Sequence, residues 1–327
     1  MEALYLKTIN TTIDRVLDQF KAQTGNTPIL HLSLPNGNNI FAKCEWTNPT
    51  GSIKDRTAYG LIKDARDRGR FNQDSKVLEY SGGNLGKSLA EICFRAGVEL
   101  NIAFSPGSSK TYKKSLIDFL TERKANLIPV KRPDGFYGVM QHTIHLSKEN
   151  PTYTFLYQHT NESNFNIHRD WTGVEIINQL KGNDLHAWVA AIGSGGTLMG
   201  VYEKLQQYFP DIELHPVSPA EQPYGTPDAP NTLTKLSGTS GLGYGEKQKF
   251  VQRKEHLFKH HWKITYTEAL NEMERFYKET NIKIGSSAAA NLIVAREIAR
   301  NNENYNVVTI FPDKGSQEEW DLIENGL

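Results

Sequence analysis

Ala187-Trp188-Val189-Ala190-Ala191-Ile192-Gly193-Ser194-Gly195-Gly196-Thr197 is the stretch that decides the fold. Six apolar residues run into a glycine-rich turn, and residues 197–208 then carry helical spacing. A buried strand feeding a helix through glycines opens a βα unit of a parallel sheet. Glycines at that point let backbone N–H groups turn inward on an anion, and the helix amino terminus adds a partial positive charge. Thr197 adds a hydroxyl. A dinucleotide fingerprint would need glycine where Leu198 stands, and a nucleoside-triphosphate loop would need Gly-Lys-Ser or Gly-Lys-Thr, which is absent. A phosphate without a nucleotide fits, although a plain tight βα turn would use the same glycines.

Outward from this stretch the pattern repeats. Residues 40–44, 76–80, 100–104, 127–130 and 307–311 read as strands. Residues 52–67, 84–96, 109–123, 267–280 and 287–301 carry helical spacing. Such alternation predicts an α/β protein, its parallel sheets covered by helices. Residues 221–245, rich in Pro, Gly, Thr and Ser, suit a loop over a site. In open parallel sheets ligands sit beyond the carboxyl ends of strands, and three Gly- and Ser-rich segments follow strands here.

The second segment is Asn48-Pro49-Thr50-Gly51-Ser52-Ile53-Lys54-Asp55-Arg56. Read plainly, it is a strand end and a helix start with Ser52 as the cap. Read chemically, Lys54 stands at a helix start in a cleft, where its ammonium form is disfavoured and its amine can form a Schiff base with an aldehyde. The third is Ser81-Gly82-Gly83-Asn84-Leu85-Gly86. It is either a strand-turn-helix junction capped by Asn84 or an anion pocket sized for a carboxylate.

Together, and in this order, the segments resemble the fold type II pyridoxal-phosphate enzymes, tryptophan synthase β-like in architecture. Within them the chain is similar to the cysteine synthases and their β-replacement relatives, from about residue 25 to residue 315. The resemblance implies that Lys54 binds the cofactor and that Gly193, Ser194, Gly195, Gly196 and Thr197 grip its phosphate. It implies that Ser81, Gly82, Gly83, Asn84 and Leu85 take the substrate carboxylate together with Gln158, and that Asn84 also reaches the cofactor's 3′ oxygen. Ser287, in Gly285-Ser286-Ser287, is implied as the partner of the pyridine nitrogen; a neutral hydroxyl there favours elimination and replacement over transamination. Read locally, Ser287 could equally cap the helix that follows it. Residues 236–243, including Gly238 and Thr239, would border the substrate. The implied domains are a smaller mobile one, residues 48–158, and a larger one, residues 1–47 with 159–327, with the cofactor between them and closure of the smaller excluding water. A homodimer is implied as well.

The implied reaction is β-replacement on an O-activated L-serine, O-acetylserine or O-phosphoserine, through an aminoacrylate attacked by sulfide, a thiol or an amino acid amine. A serine/threonine dehydratase-like elimination and a catalytically degenerate binding partner are the alternatives. Leu85 and Gly82 remove two hydroxyls found in typical cysteine synthases. Asn84-Leu85-Gly86 and the basic residue in Pro312-Asp313-Lys314-Gly315 look more like phosphoserine-using synthases of 2,3-diaminopropionate pathways. These departures suggest a nucleophile larger than sulfide.

Composition narrows the field. The 37 basic and 37 acidic residues of the 327 cancel, leaving no electrostatic footprint for nucleic acid or an anionic membrane. No apolar run approaches the ~20 residues of a membrane span, and residues 1–9 are too short and mixed for a signal peptide. Cys44 and Cys93 read as buried thiols in a reducing compartment, so a cytoplasmic protein is expected. The ten histidines show no metal-ligand spacing, His260-His261 reading as a solvated strand start, and no metal is expected.

Overall fold

The computed structural model describes residues 2–105, 114–130, 135–226 and 246–326. Its elements begin with α1 (Glu2–Gln23), β1 (Ile29–Ser33), β2 (Asn39–Cys44), α2 (Lys54–Asp67), β3 (Lys76–Tyr80), α3 (Asn84–Ala96) and β4 (Glu99–Phe104). There follow α4 (Lys114–Glu122), β5 (Asn126–Pro129), α5 (Gly135–Glu149), β6 (Tyr153–Phe155), α6 (Glu162–Ile167), α7 (Val174–Gln179), β7 (Ala187–Ala191) and α8 (Gly196–Gln206). The chain ends with β8 (Glu213–Pro219), α9 (Lys249–Gln252), β9 (Trp262–Ile264), α10 (Tyr266–Thr280), α11 (Ser286–Arg300), β10 (Asn306–Phe311) and α12 (Gln317–Glu324). None of the described helices is long and apolar enough to cross a membrane.

The chain divides into two compact units: Met1–Gly25, Asn48–Thr50 and Lys54–Ser163 form the first, and Asn26–Thr47, Gly51–Ile53 and Asn164–Leu327 the second. Where the family resemblance put residues 1–47 in the larger domain, the structure groups residues 1–25 with the first unit. The spacing of Ile13, Val16, Leu17 and Phe20 gives α1 one buried apolar face. Arg66 of α2 pairs with Asp14, and Arg95 of α3 lies over the Phe20 ring.

The first unit holds a four-stranded parallel sheet in the order β5-β4-β3-β6. The chain moves outward from β3 through β4 to β5, then returns to place β6 on the other side of β3. The gap beyond the carboxyl ends of β3 and β6 is therefore the switch point, where such sheets bind ligands. The loops entering it are residues 81–83 and 156–158.

The second unit holds a six-stranded sheet in the order β1-β2-β10-β7-β8-β9, parallel except for the β1–β2 pair. Its inner strands β2, β10, β7 and β8 are buried on both faces. Ile40, Ala42, Ala187, Val189, Val307 and Phe311 pack toward α10 and α11, while Phe41, Trp188, Ala190, Val308 and Ile310 pack toward α8. Double coverage explains why β7 reads as an unbroken apolar run. Here the switch lies between β7 and β10, and residues 193–195 and 312–315 lead from those strand ends. Both free cysteines are buried, and burial pushes their thiols up to about 12.

Candidate active site

In the first unit, Lys54 opens α2. The turn before it is pinned by Asp55, whose carboxylate accepts the Thr50 N–H (2.8 Å) and the Thr50 hydroxyl (2.6 Å). Lys54 Nζ donates to Gln158 Oε1 at 3.3 Å, so two residues 104 positions apart meet where the sheet order reverses. Burial disfavours the ammonium and brings Lys54 down to about 8, against an opposing pull from Glu79. An amine near neutrality is both a nucleophile toward an aldehyde and a usable base.

Three residues that the sequence motifs do not single out complete this half. Glu79, on β3, is fully buried and its carboxyl is pushed well up by burial. Tyr80 beside it shares a 2.6 Å hydrogen bond between its hydroxyl and Nδ1 of His159, and the two rings stack. Burial holds His159 down at about 3, with the Lys54 charge adding to the effect, so the ring is neutral. The sequence signal was a glutamate inside the apolar run Val77-Leu78-Glu79-Tyr80; its partners come from β6, through pairing that a linear reading does not supply.

The loop after β3 rearranges the expected roles. Ser81 Oγ accepts the Gly86 N–H at 2.9 Å and the Gly83 N–H at 3.3 Å, so this hydroxyl shapes the loop itself. Leu85 is buried in the core of its unit. The N-cap of α3 is Gly83, not Asn84, which is already helical. Glycine offers no capping side chain, and α3 opens with no side-chain cap bond.

In the second unit, residues 193–197 form the turn from β7 into α8. Gly195 is the N-cap at φ +84°, again with no side-chain cap bond. A Cβ on Gly195 would lie 2.5 Å from Val251 Cγ2, and one on Gly196 would lie 2.6 Å from Asn164 Oδ1. Asn164 Nδ2 donates to Ser194 Oγ (2.8 Å), and a π-helical segment, His168–Gly173, brings His168 Nε2 to within 3.3 Å of Thr197 Oγ1. Such wide turns recur at functional sites. The first N–H groups of α8 lack intrahelical acceptors by geometry and present an anion cradle.

Ser286 and Ser287 open α11 behind the N-cap Gly285, which also makes no side-chain cap bond. Ser286 is buried and hydrogen-bonded to Glu319, and Ser287 is half-buried. By contrast α10 and α12 carry complete capping boxes, Thr265 with Glu268 and Ser316 with Glu319. The three helices that follow the candidate loops have glycine N-caps that supply no side-chain cap bond, while these two carry their own capping boxes.

Gly238 and Thr239 lie outside the described residues. Among the described residues no group of three or more His, Cys, Asp or Glu side chains could hold a metal ion. His261 departs from the expected solvated state: it shares a 2.7 Å hydrogen bond with Ser218, and burial lowers it to about 4.

The sequence profile of the family described as "Pyridoxal-phosphate dependent enzyme" matches residues 21–313. The chain belongs to that family. The chain is 31% identical to the cysteine synthase B of Campylobacter jejuni, over 91% of this chain and 96% of the relative. It is 32% identical to the O-acetylserine dependent cystathionine beta-synthase of Bacillus subtilis, over 90% and 93%. The solved O-acetylserine dependent cystathionine beta-synthase of Helicobacter pylori superimposes with a TM-score of 0.81 at 24% identity, over 91% of this chain and 95% of that one. This pyridoxal-phosphate enzyme is thus cysteine synthase-like and of the β-replacement type. Its residues fit the cofactor: the crowded glycines of the α8 cap suit a phosphate, and Lys54 supplies a depressed amine for the aldehyde.

Proposed function

We propose that this enzyme replaces the activated oxygen of O-acetyl-L-serine or O-phospho-L-serine with an incoming nucleophile, and that the nucleophile is larger than sulfide, a thiol or an amino acid amine. The observation carrying this reading is the Lys54–Gln158 contact at the first unit's switch point, where the glycine-capped start of α3 follows β3. Bound pyridoxal phosphate supplies an electron sink that acidifies the α-carbon proton of an amino acid joined to it.

Lys54 would hold the cofactor through its side-chain amine, and the same amine, when free, would take the α-carbon proton as the base. The carboxylate would be received by the loop that Ser81 shapes, by the Asn84 amide and by Gln158. The two hydroxyls absent at Gly82 and Leu85 cost roughly 0.5–1.5 kcal/mol each in substrate binding. That changes affinity but does not exclude a donor. Residues 193–197 hold the phosphate through backbone N–H groups and the Ser194 and Thr197 hydroxyls. Ser287, half-buried at the start of α11, would offer the ring nitrogen a neutral hydroxyl. The activity recorded in the name of the Bacillus subtilis relative, with cystathionine as product, supports a thiol beyond sulfide.

The test is a donor–acceptor matrix. The enzyme is mixed with O-acetylserine, O-phosphoserine or serine, then with sulfide, small thiols, homocysteine or amino acids, and products are read by mass spectrometry. Condensation of an O-activated serine with a thiol or amine faster than with sulfide is expected. Release of pyruvate and ammonia alone would move the enzyme to the dehydratase-like reading.

A further inference from the structure

Glu79 is a carboxyl in the middle of an apolar parallel strand, between Leu78 and Tyr80, with no exposed surface. A buried carboxylate persists only where donors converge on it. Its Oε1 accepts the Tyr80 N–H at 3.1 Å and its Oε2 the Gln158 N–H at 3.3 Å; the Tyr157 N–H also donates to it. Tyr157 has φ +50°, a left-handed conformation that is an outlier for a bulky aromatic residue and must be held by its surroundings. Consecutive N–H groups turned to one side by such a residue form an anion-binding nest. Gln158 is the second residue of that nest, and its side-chain oxygen is the one 3.3 Å from Lys54 Nζ. The acid, the strained turn and the amine are connected through one amide.

We propose that Glu79 is a positioning residue: its carboxylate holds Tyr157 and Gln158 in the left-handed turn, and that turn keeps the Gln158 amide on Lys54. The proposal rests on reading Lys54 as the cofactor lysine. Glu79 acts through Gln158, and in its ionised form its charge also favours the Lys54 ammonium. The titratable groups around it are Lys54 from α2, Tyr80 on its own strand, and Tyr157 and His159 from the segment after β6. Among these, Lys54 is the group whose ammonium the Glu79 charge favours.

Two variants separate the roles. Glu79→Gln keeps an oxygen for the N–H groups and removes the charge; Glu79→Ala removes both. In cofactor-free protein, labelling of Lys54 by an amine-reactive reagent, followed by peptide mass spectrometry across pH, reads the Lys54 midpoint. In the loaded enzyme, KM and kcat for the donor are read separately. Glu79→Gln is expected to move the Lys54 midpoint below that of the parent and to raise the donor KM about tenfold, as for a lost charge-assisted hydrogen bond, with a smaller change in kcat. Glu79→Ala should show a larger rise in KM where it folds; Glu79→Gln carries the test where it does not. An unmoved Lys54 midpoint in Glu79→Gln overturns the inference, and so does an unchanged donor KM. The labelling arm uses no cofactor, so it tells failure of this inference apart from failure of the Lys54 assignment.

Discussion

At the switch point of the first sheet, a half-buried amine (Lys54) and a buried carboxyl and imidazole (Glu79 and His159) gather at Gln158, and desolvation shifts all three toward their neutral forms. At the switch point of the second, residues 193–197 offer three glycines and two hydroxyls. The same sheet geometry thus serves two kinds of chemistry. Moving a proton requires groups whose charge the protein can tune, which means burying them. Holding a phosphate requires backbone N–H groups and room, which means removing side chains.

The comparison breaks most visibly at Lys54. Lys54→Ala should cut turnover by on the order of 100- to 10,000-fold, the range for losing a positioned base. It should leave measurable non-covalent cofactor binding, because the second unit's cradle is untouched. Equilibrium dialysis checks this; complete loss of affinity would make the two halves less separable than described.

Gly195→Ala is the converse. A methyl at φ +84° that would meet Val251 at 2.5 Å should weaken cofactor affinity by about 100-fold, within the 1–3 kcal/mol cost of such strain plus overpacking. Fluorescence titration of the cofactor-free protein reads it. An unchanged affinity would place the phosphate elsewhere.

A third test concerns the acid beneath the α11 start. Glu319 is raised from an ordinary 4.5 to about 7 by burial first and by the nearby Asp313 charge second. Below pH 4.5 the folded and unfolded chains both hold the proton. Between 4.5 and 7 the unfolded chain ionises while the folded one resists, so stability is lost as pH rises through that window. Glu319→Gln keeps an oxygen for the Ser316 N–H, should match the parent near pH 4.5, and should exceed it at pH 8 by roughly 2–3 kcal/mol. Thermal melts at the two pH values decide it; a variant less stable than the parent at pH 8 would contradict the shift.

The smallest effect is expected for Tyr80→Phe, which deletes the 2.6 Å bond to His159 that ties the ends of β3 and β6. A buried neutral hydrogen bond contributes about 1 kcal/mol, so the donor KM should rise a few-fold. The pH profile should keep its shape between pH 5 and 9, since His159 titrates near 3. A changed profile would mean that His159 carries a proton in the working range.

These regions were not equally legible in the sequence. Strands β2, β3, β4, β7 and β10 fall within a residue of the apolar runs that predict them, and residues 84–96 form α3 end to end. β8 went unread because Pro216 and Pro219 argue against a strand, and β6 because it has three residues. The apolar period at Ile13, Val16, Leu17 and Phe20 announces α1, a signal that the search for a leader segment overlooks. The glycine-rich turn from β7 into α8 was legible because its pattern is local. Glu79, Tyr80 and His159 were not, because their meaning depends on β3 lying beside β6. Glu319 reads as a helix cap until the fold places it against Ser286.

The central claim is that Lys54, among all the amines of this chain, carries the cofactor. Borohydride reduction of the cofactor-loaded protein, followed by proteolysis and mass spectrometry of the peptides, tests it most directly. The account predicts a single phosphopyridoxyl group on the peptide containing Lys54, and its absence in Lys54→Ala. A phosphopyridoxyl group on another lysine in the parent, such as the buried Lys43, would contradict it.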